Sequence, residues 1–146
     1  MMKTINDNGL NTELQELYLV NKQWLQDLEF LDTELRFLEN RFAESFAPLM
    51  SKNNVATMKE LLMAATSIDK VNLLLKKEIH SFLKQIEGQL LKQEADFGME
   101  LLERHAQLMN EITEIMQAYH LVKSKVFKLA QKALKSDPYL NVSAIG

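Results

Sequence analysis

The apolar residues between Leu14 and Phe46 recur at alternating steps of three and four over more than four heptads. Such a stripe is typical of a long helix packed against partner helices, because the stripe is not stable in water. We therefore predict a first helix over about residues 12–47, ended by Pro48. Starting the heptad at position a with Leu14, its a positions are Leu14, Asn21, Leu28, Leu35 and Phe42, and its d positions are Leu17, Trp24, Leu31 and Leu38.

The same alternation returns in two later stretches. In the second, the a positions are Met58, Ala65, Asn72, Ile79 and Ile86, and the d positions are Leu61, Ile68, Leu75 and Phe82. In the third, the a positions are His105, Ile112, Tyr119, Val126 and Ala133, and the d positions are Leu101, Leu108, Ile115, Val122 and Leu129. A reversal between about 93 and 98 gives helices over about 54–93 and 97–136, the last ended by Asp137-Pro138. The alternative is one continuous helix of about 80 residues.

These stretches predict an all-α fold, an up-down-up bundle of three long helices with coiled-coil-like heptad packing. The 146 residues fit a single helical-bundle domain, 1–146, with flexible tails at 1–11 and 137–146. The composition agrees, since 47% of the residues are hydrophobic and there are only four Gly and two Pro.

Composition and charge narrow the classes of function. We expect a cytoplasmic protein, because no apolar run reaches the ~18 residues of a membrane span and the first nine residues lack the apolar region of a secretory signal. The net charge of −3 argues against a general nucleic-acid binder, whose surface would be strongly basic.

The sequence contains no pattern of residues that indicates catalysis, a cofactor or a metal site. A di-metal bundle site would need Glu-x-x-His on two helices, and that spacing does not occur. The chain has no Cys, no Gly-rich phosphate loop and no nucleophile elbow. Of His80, His105 and His120, only His105 falls at an a position, where we expect a hydrogen-bonded core or edge residue. We predict no enzyme; a bundle enzyme with an unrecognised site is the third-ranked alternative.

Two asparagines interrupt the apolar seams at a positions, Asn21 and Asn72. A buried Asn at such a position fixes helix register at a cost in stability. With turns near residues 50 and 95, Asn72 lies opposite Tyr119, so that amide and phenol would satisfy each other. We interpret Asn21, Asn72 and Tyr119 as a register-fixing polar core. The alternative is a wet, loosely packed layer.

Phe30 and Phe37 fall at c positions, one heptad apart on the outer side of the first helix. Exposed phenylalanines mark an interaction surface. Alternatively, a wide core covers them, or the tail with Tyr139 and Leu140 does. We expect a non-catalytic protein–protein interaction or scaffolding module with an unknown protein partner, self-associating as a homodimer or larger homo-oligomer.

Charge is unevenly distributed along the chain. Residues 12–47 contain eight acidic and three basic residues, whereas 121–136 contain five Lys and no acid. A basic helix indicates a peripheral protein that binds anionic membrane surfaces, which is the alternative function. Lys123, Lys125 and Lys132 nevertheless fall at e and g positions. We expect them to face Asp32, Glu34 and Glu39 of a parallel first helix, which makes a membrane surface the less favoured partner.

Overall fold

A computed structural model describes residues 2–46, 52–92 and 98–136, and every one of these residues is helical. Helix α1 spans Met2–Arg41 and continues into a π-helical segment, Phe42–Phe46. Helices α2, Lys52–Lys92, and α3, Gly98–Ser136, pack with it as an up-down-up bundle. The predicted fold class is therefore confirmed. Within the described ranges, no helix is long and apolar enough to span a membrane.

The helix boundaries agree with the sequence except at the start of α1. The predicted flexible lead-in over 1–11 is helical from Met2, since no proline interrupts it and each residue added to a formed helix gains a hydrogen bond. The alternative of one continuous helix is wrong, because α2 and α3 are separate helices that pack against each other. The predicted turn at 93–98 lies outside the described residues except for Gly98, and the Pro48 stop and the 137–146 tail lie outside them entirely.

Gly98 begins α3 with a φ of +70°, in the left-handed region of backbone conformation. Glycine adopts this region without the steric cost that a Cβ atom imposes on other L-residues. A Cβ placed on Gly98 would have no atom within 4 Å, so the constraint at this position comes from the backbone angle alone.

The described residues divide into two compact units, and all three helices contribute to both. Unit 1 comprises 2–31, 72–92 and 98–114, and unit 2 comprises 32–46, 52–71 and 115–136. Because each helix supplies a segment to both, the division does not separate two successive domains along the chain. The single-domain assignment stays a prediction.

In unit 1, contacts show that α2 runs opposite to α1. Tyr18 donates a hydrogen bond to Glu87, and Asn72 donates one to the carbonyl oxygen of Leu28. The buried apolar side chains of this unit come from all three helices and include Leu14, Leu17, Leu25, Leu28, Leu31, Leu75, Ile79, Phe82, Leu83, Ile86, Leu108 and Ile112. The fully buried Asn21 and Asn72 lie among them.

In unit 2, the core of the described residues is built from aliphatic and aromatic side chains. They are Leu35, Leu38, Phe42, Met58, Leu61, Ala65, Ile68, Ile115, Tyr119, Val122, Val126, Leu129 and Ala130. At about 1.5–3 kcal/mol for each large apolar side chain removed from water, this burial is the main stabilising contribution within the unit.

The a and d positions predicted from the heptads are buried almost throughout the described residues. The exceptions among the positions whose side chains are described, a set that does not include Ala133, are Trp24, Leu101 and His105, which are half-buried. Each helix also buries one residue at an e position, namely Leu25 in α1, Leu83 in α2 and Ala130 in α3. The buried side of each helix is wider than the a and d positions alone because a helix in a bundle faces two neighbours.

Candidate functional site

Phe30 in unit 1 and Phe37 in unit 2 are both exposed, by 64% and 58%. The core positions of α1 are filled by other side chains, so the interpretation in which a wide core covers the two rings is wrong for the described residues. The tail at 137–146, the other predicted cover, lies outside those residues. That these rings contact a partner stays a prediction.

Phe37 is accompanied by a cation on its own helix. The guanidinium carbon of Arg41 lies 5.2 Å from the centre of the Phe37 ring, a cation–π contact. This contact leaves most of the ring accessible and adds a planar donor group beside it. Aromatic and Arg side chains of this kind are enriched among the residues that dominate binding energy at protein interfaces.

In unit 1, Asn21 joins α1 to α3 through His105. The Asn21 Nδ2 donates to the Leu17 carbonyl oxygen at 2.7 Å and lies 3.1 Å from His105 Nδ1. The imidazole also stacks on Trp24, with ring centres 4.7 Å apart and planes inclined by 17°. His105 is thus the hydrogen-bonded edge residue that the sequence predicts.

The bond to Leu17 determines which nitrogen of His105 carries the proton. A carbonyl oxygen only accepts, so the Asn21 atom facing it is the amide nitrogen, and its second hydrogen points to His105 Nδ1. Nδ1 must therefore accept, which places the proton of the neutral ring on Nε2. Burial lowers the pKa of His105, in agreement with a neutral imidazole.

Asn72 and Tyr119, which the sequence places in one layer, are both buried. The Asn72 amide donates to the Leu28 carbonyl oxygen at 3.0 Å within unit 1. Tyr119 belongs to unit 2 and hydrogen-bonds there to Glu34. Burial first, then the bond to Glu34 and the negative charge of that residue, raise the pKa of the Tyr119 phenol. The direct pairing of Asn72 with Tyr119 stays a prediction.

A carboxylate pair in unit 1 was not anticipated from the sequence. Burial raises the pKa of Glu111, and the charge of Glu78 and a hydrogen bond to it act in the same direction. Arg104 opposes this effect and bonds to Glu78 at 3.2 Å. The heptad pattern does indicate this contact. Glu78 of α2 and Arg104 and Glu111 of α3 all occupy g positions, and the g positions of two antiparallel helices face each other across their interface.

Such a pair resembles a metal-binding arrangement, but the residues described contain no group of three or more His, Asp or Glu placed to hold a metal ion. Compared with protein-family models, curated proteins and solved structures, the chain matches none of them.

The two units carry opposite formal charges over their described residues. Unit 1 has eleven Asp and Glu against seven Lys and Arg, a charge of −4. Unit 2 has six acidic residues against ten basic ones, a charge of +4, and half of those bases are the lysines of α3. The difference in formal charge arises mainly from α3, which contributes four acidic residues and one base to unit 1 but five lysines and no acid to unit 2.

The predicted pairing of these lysines with α1 is correct for Lys123 alone, whose Nζ lies 3.9 Å from Glu34 Oε1. It is wrong for Lys125 and Lys132, which are exposed and, like Lys128, form no ion pair with any residue in the described ranges. The g positions of α3 face α2, as the contact between Arg104 and Glu78 shows for unit 1. In unit 2 the corresponding g positions of α2 are uncharged, namely Thr57, Ala64 and Val71.

Proposed function

We propose that this protein is a non-catalytic, self-associating protein–protein interaction module that works in the cytoplasm, with Phe30 and Phe37 as contact residues. One observation carries the proposal: both rings are more than half exposed, although the predicted core positions of α1 around them are filled. Leaving two large aromatic side chains in water is unfavourable, and burial against a partner would recover about 1.5–3 kcal/mol for each ring that is fully covered.

The chemistry beside Phe37 fits a protein partner. The ring offers an apolar contact, and Arg41 presents planar donors to carboxylate or carbonyl groups at its edge. Such a combination of an aromatic anchor with a polar margin is the usual composition of an interface centre and its rim.

The polar groups in the core of unit 1 support a scaffolding role. Asn21 of α1 contacts His105 of α3, and Asn72 of α2 donates to the Leu28 carbonyl oxygen of α1, so shifting one of these helices along its axis would break a hydrogen bond between helices. Register-fixing groups lower stability but specify one alignment of helices. A defined alignment of the helices within unit 1 is what a scaffold needs if its surface is to be constant.

The proposal is tested by changing both rings and following the mass of the particle. We expect Phe30→Ser with Phe37→Ser to leave the helical circular dichroism intact and to shift the protein to a smaller species in sedimentation velocity. The matched control is Leu73→Ser with Leu74→Ser, two side chains that are similarly exposed, at 53% and 60%, on α2 of unit 1. The control should keep the mass of the unmodified protein.

Two results would contradict the proposal. The first is an unmodified protein that sediments as a monomer at every attainable concentration. The second is a large fall in the melting temperature of the double Phe variant without a change of mass, since that would assign both rings to the monomer core.

A further inference from the structure

We propose that an exposed side of α3 in unit 2, at the edge of its contact with α2, docks onto an anionic phospholipid surface. The surface in question, called here the basic stripe, consists of Leu121, Lys125, Lys128 and Lys132. These residues are separated by steps of four, three and four, so they lie on one side of the helix. All four are exposed, and Leu121 is exposed by 57%.

The charges on the stripe are not neutralised by neighbouring residues. None of its three lysines forms an ion pair within the described part of the chain, and no acidic residue follows Glu114 in α3. An exposed unpaired ammonium group loses little solvation when it approaches the phosphate layer of a bilayer, because its long side chain keeps the charge in water. The stripe therefore attracts anionic lipid without breaking a contact inside the bundle.

An apolar side chain favours a lipid surface over other anionic partners. Leu121, exposed by 57%, lies at the first position of the stripe, whereas the exposed Phe127 lies roughly a third of a turn away around α3. At a bilayer, a side chain such as Leu121 enters the boundary between headgroups and acyl chains while neighbouring lysines bind phosphates. A nucleic acid would leave Leu121 without an apolar partner, and the net charge of −3 works against a polyanion that contacts a wide surface.

The inference is independent of the proposed self-association, since it uses no residue of α1. It is tested by sedimentation with vesicles of phosphatidylcholine, with and without phosphatidylserine. We expect binding only to vesicles that contain phosphatidylserine, with a bound fraction that rises with the phosphatidylserine content and falls with added salt. These measurements on the unmodified protein do not depend on any variant.

Variants then locate the binding surface. We expect Lys125→Gln, Lys128→Gln and Lys132→Gln together to lower the partition coefficient by about 100-fold, since each lysine near an anionic surface contributes about a factor of five. The matched control is Lys77→Gln, Lys84→Gln and Lys92→Gln, which removes the same charge from exposed positions of unit 1. That control should bind nearly as well as the unmodified protein.

The apolar contribution is measured separately. Leu121→Ser should weaken binding several-fold and leave its salt dependence unchanged. Met63→Ser, at an exposed position of α2 in the same unit, is the control and should bind as the unmodified protein does.

Three outcomes would overturn the proposal. One is a failure of the unmodified protein to bind phosphatidylserine vesicles at low salt. Another is an equal loss in both triple lysine variants, which would attribute binding to net charge rather than to the stripe. The third is retention of a duplex DNA, but not of vesicles, with the same dependence on Lys125, Lys128 and Lys132, which would assign the stripe to nucleic acid.

Discussion

Units 1 and 2 are built from the same three helices, yet their cores and surfaces differ. Unit 1 buries two asparagine amides, has a half-buried imidazole in contact with one of them, and carries a net negative charge. Unit 2 buries aliphatic and aromatic side chains, with the Tyr119 hydroxyl hydrogen-bonded to Glu34, and carries a net positive charge.

The difference separates two properties that a helical bundle must have. Apolar packing supplies most of the stability but tolerates several alignments of the helices, since leucines at successive heptads are interchangeable. Buried hydrogen bonds supply little net stability, but misalignment leaves their groups unsatisfied. Since both units bury a similar set of apolar side chains, we infer that both contribute stability and that the buried amides of unit 1 contribute, in addition, the choice of register.

The largest effect on the free energy of unfolding is expected when a buried asparagine, as found in unit 1, is introduced into the core of unit 2. Leu35 occupies the a position two heptads after Asn21 and is 1% exposed. Leu35→Asn should lower the free energy of unfolding by about 3–5 kcal/mol, because it removes a buried apolar side chain and buries an amide that has no hydrogen-bond partner there. Urea unfolding measures the loss; a change below about 1 kcal/mol would show that unit 2 accepts polar groups as readily as unit 1.

Replacing a buried asparagine of unit 1 by leucine should have a smaller effect of the opposite sign, a rise in the free energy of unfolding. Asn21→Leu removes an amide whose Oδ1 is buried with no hydrogen-bond partner in the described part of the chain, so we expect a gain of about 1 kcal/mol. The same variant should adopt more than one alignment of the helices, which would be visible as additional amide peaks in NMR spectra. A more stable variant that keeps a single set of peaks would argue against a register-fixing role for Asn21.

The smallest expected effect is a pH dependence that originates in unit 1. Burial lowers the pKa of His105 from its ordinary value of 6.5, so the unfolded chain takes up the proton before the folded chain does. The contribution of His105 to stability is therefore complete above pH 6.5 and is lost as the pH falls through 6.5 toward the lower pKa of the folded state. Urea midpoints between pH 7.5 and 5.5 measure it, and His105→Gln should reduce the slope in this range.

If the slope is as steep in His105→Gln as in the unmodified protein, the pH dependence does not arise from the burial of His105.

The sequence predicted much of the fold because heptad periodicity reports directly which side of a helix is buried. Asn21 and Asn72 were placed in the core on this basis, and both are fully buried. Periodicity does not report which neighbour the e and g positions face, since this depends on whether the third helix packs to the left or to the right of the first. For that reason Lys123 was assigned the correct partner while Lys125 and Lys132 were not.

The heptad pattern also predicts which residues lie on the surface, but not which residues of different helices touch. Phe30 and Phe37 were found because the heptad assigns them to an outer position, and both are exposed. Asn21 and His105 are far apart in the chain but lie 3.1 Å apart in the structure. Their contact depends on how far α3 is shifted along α1, and the heptad pattern does not specify this shift. The start of α1 was misplaced because residues of low helix propensity still extend an existing helix.

The glycine that begins α3 has a stereochemical consequence. Its φ of +70° is one that a D-amino acid prefers, and a side chain there would have empty space around it. Glycine at position 98 therefore occupies a site whose backbone geometry has the mirror-image hand of the helix that follows. A D-alanine introduced there by chemical synthesis would fit the folded backbone while removing conformations from the unfolded chain, so a protein that contains this one D-residue would have a higher free energy of unfolding than one with glycine at position 98.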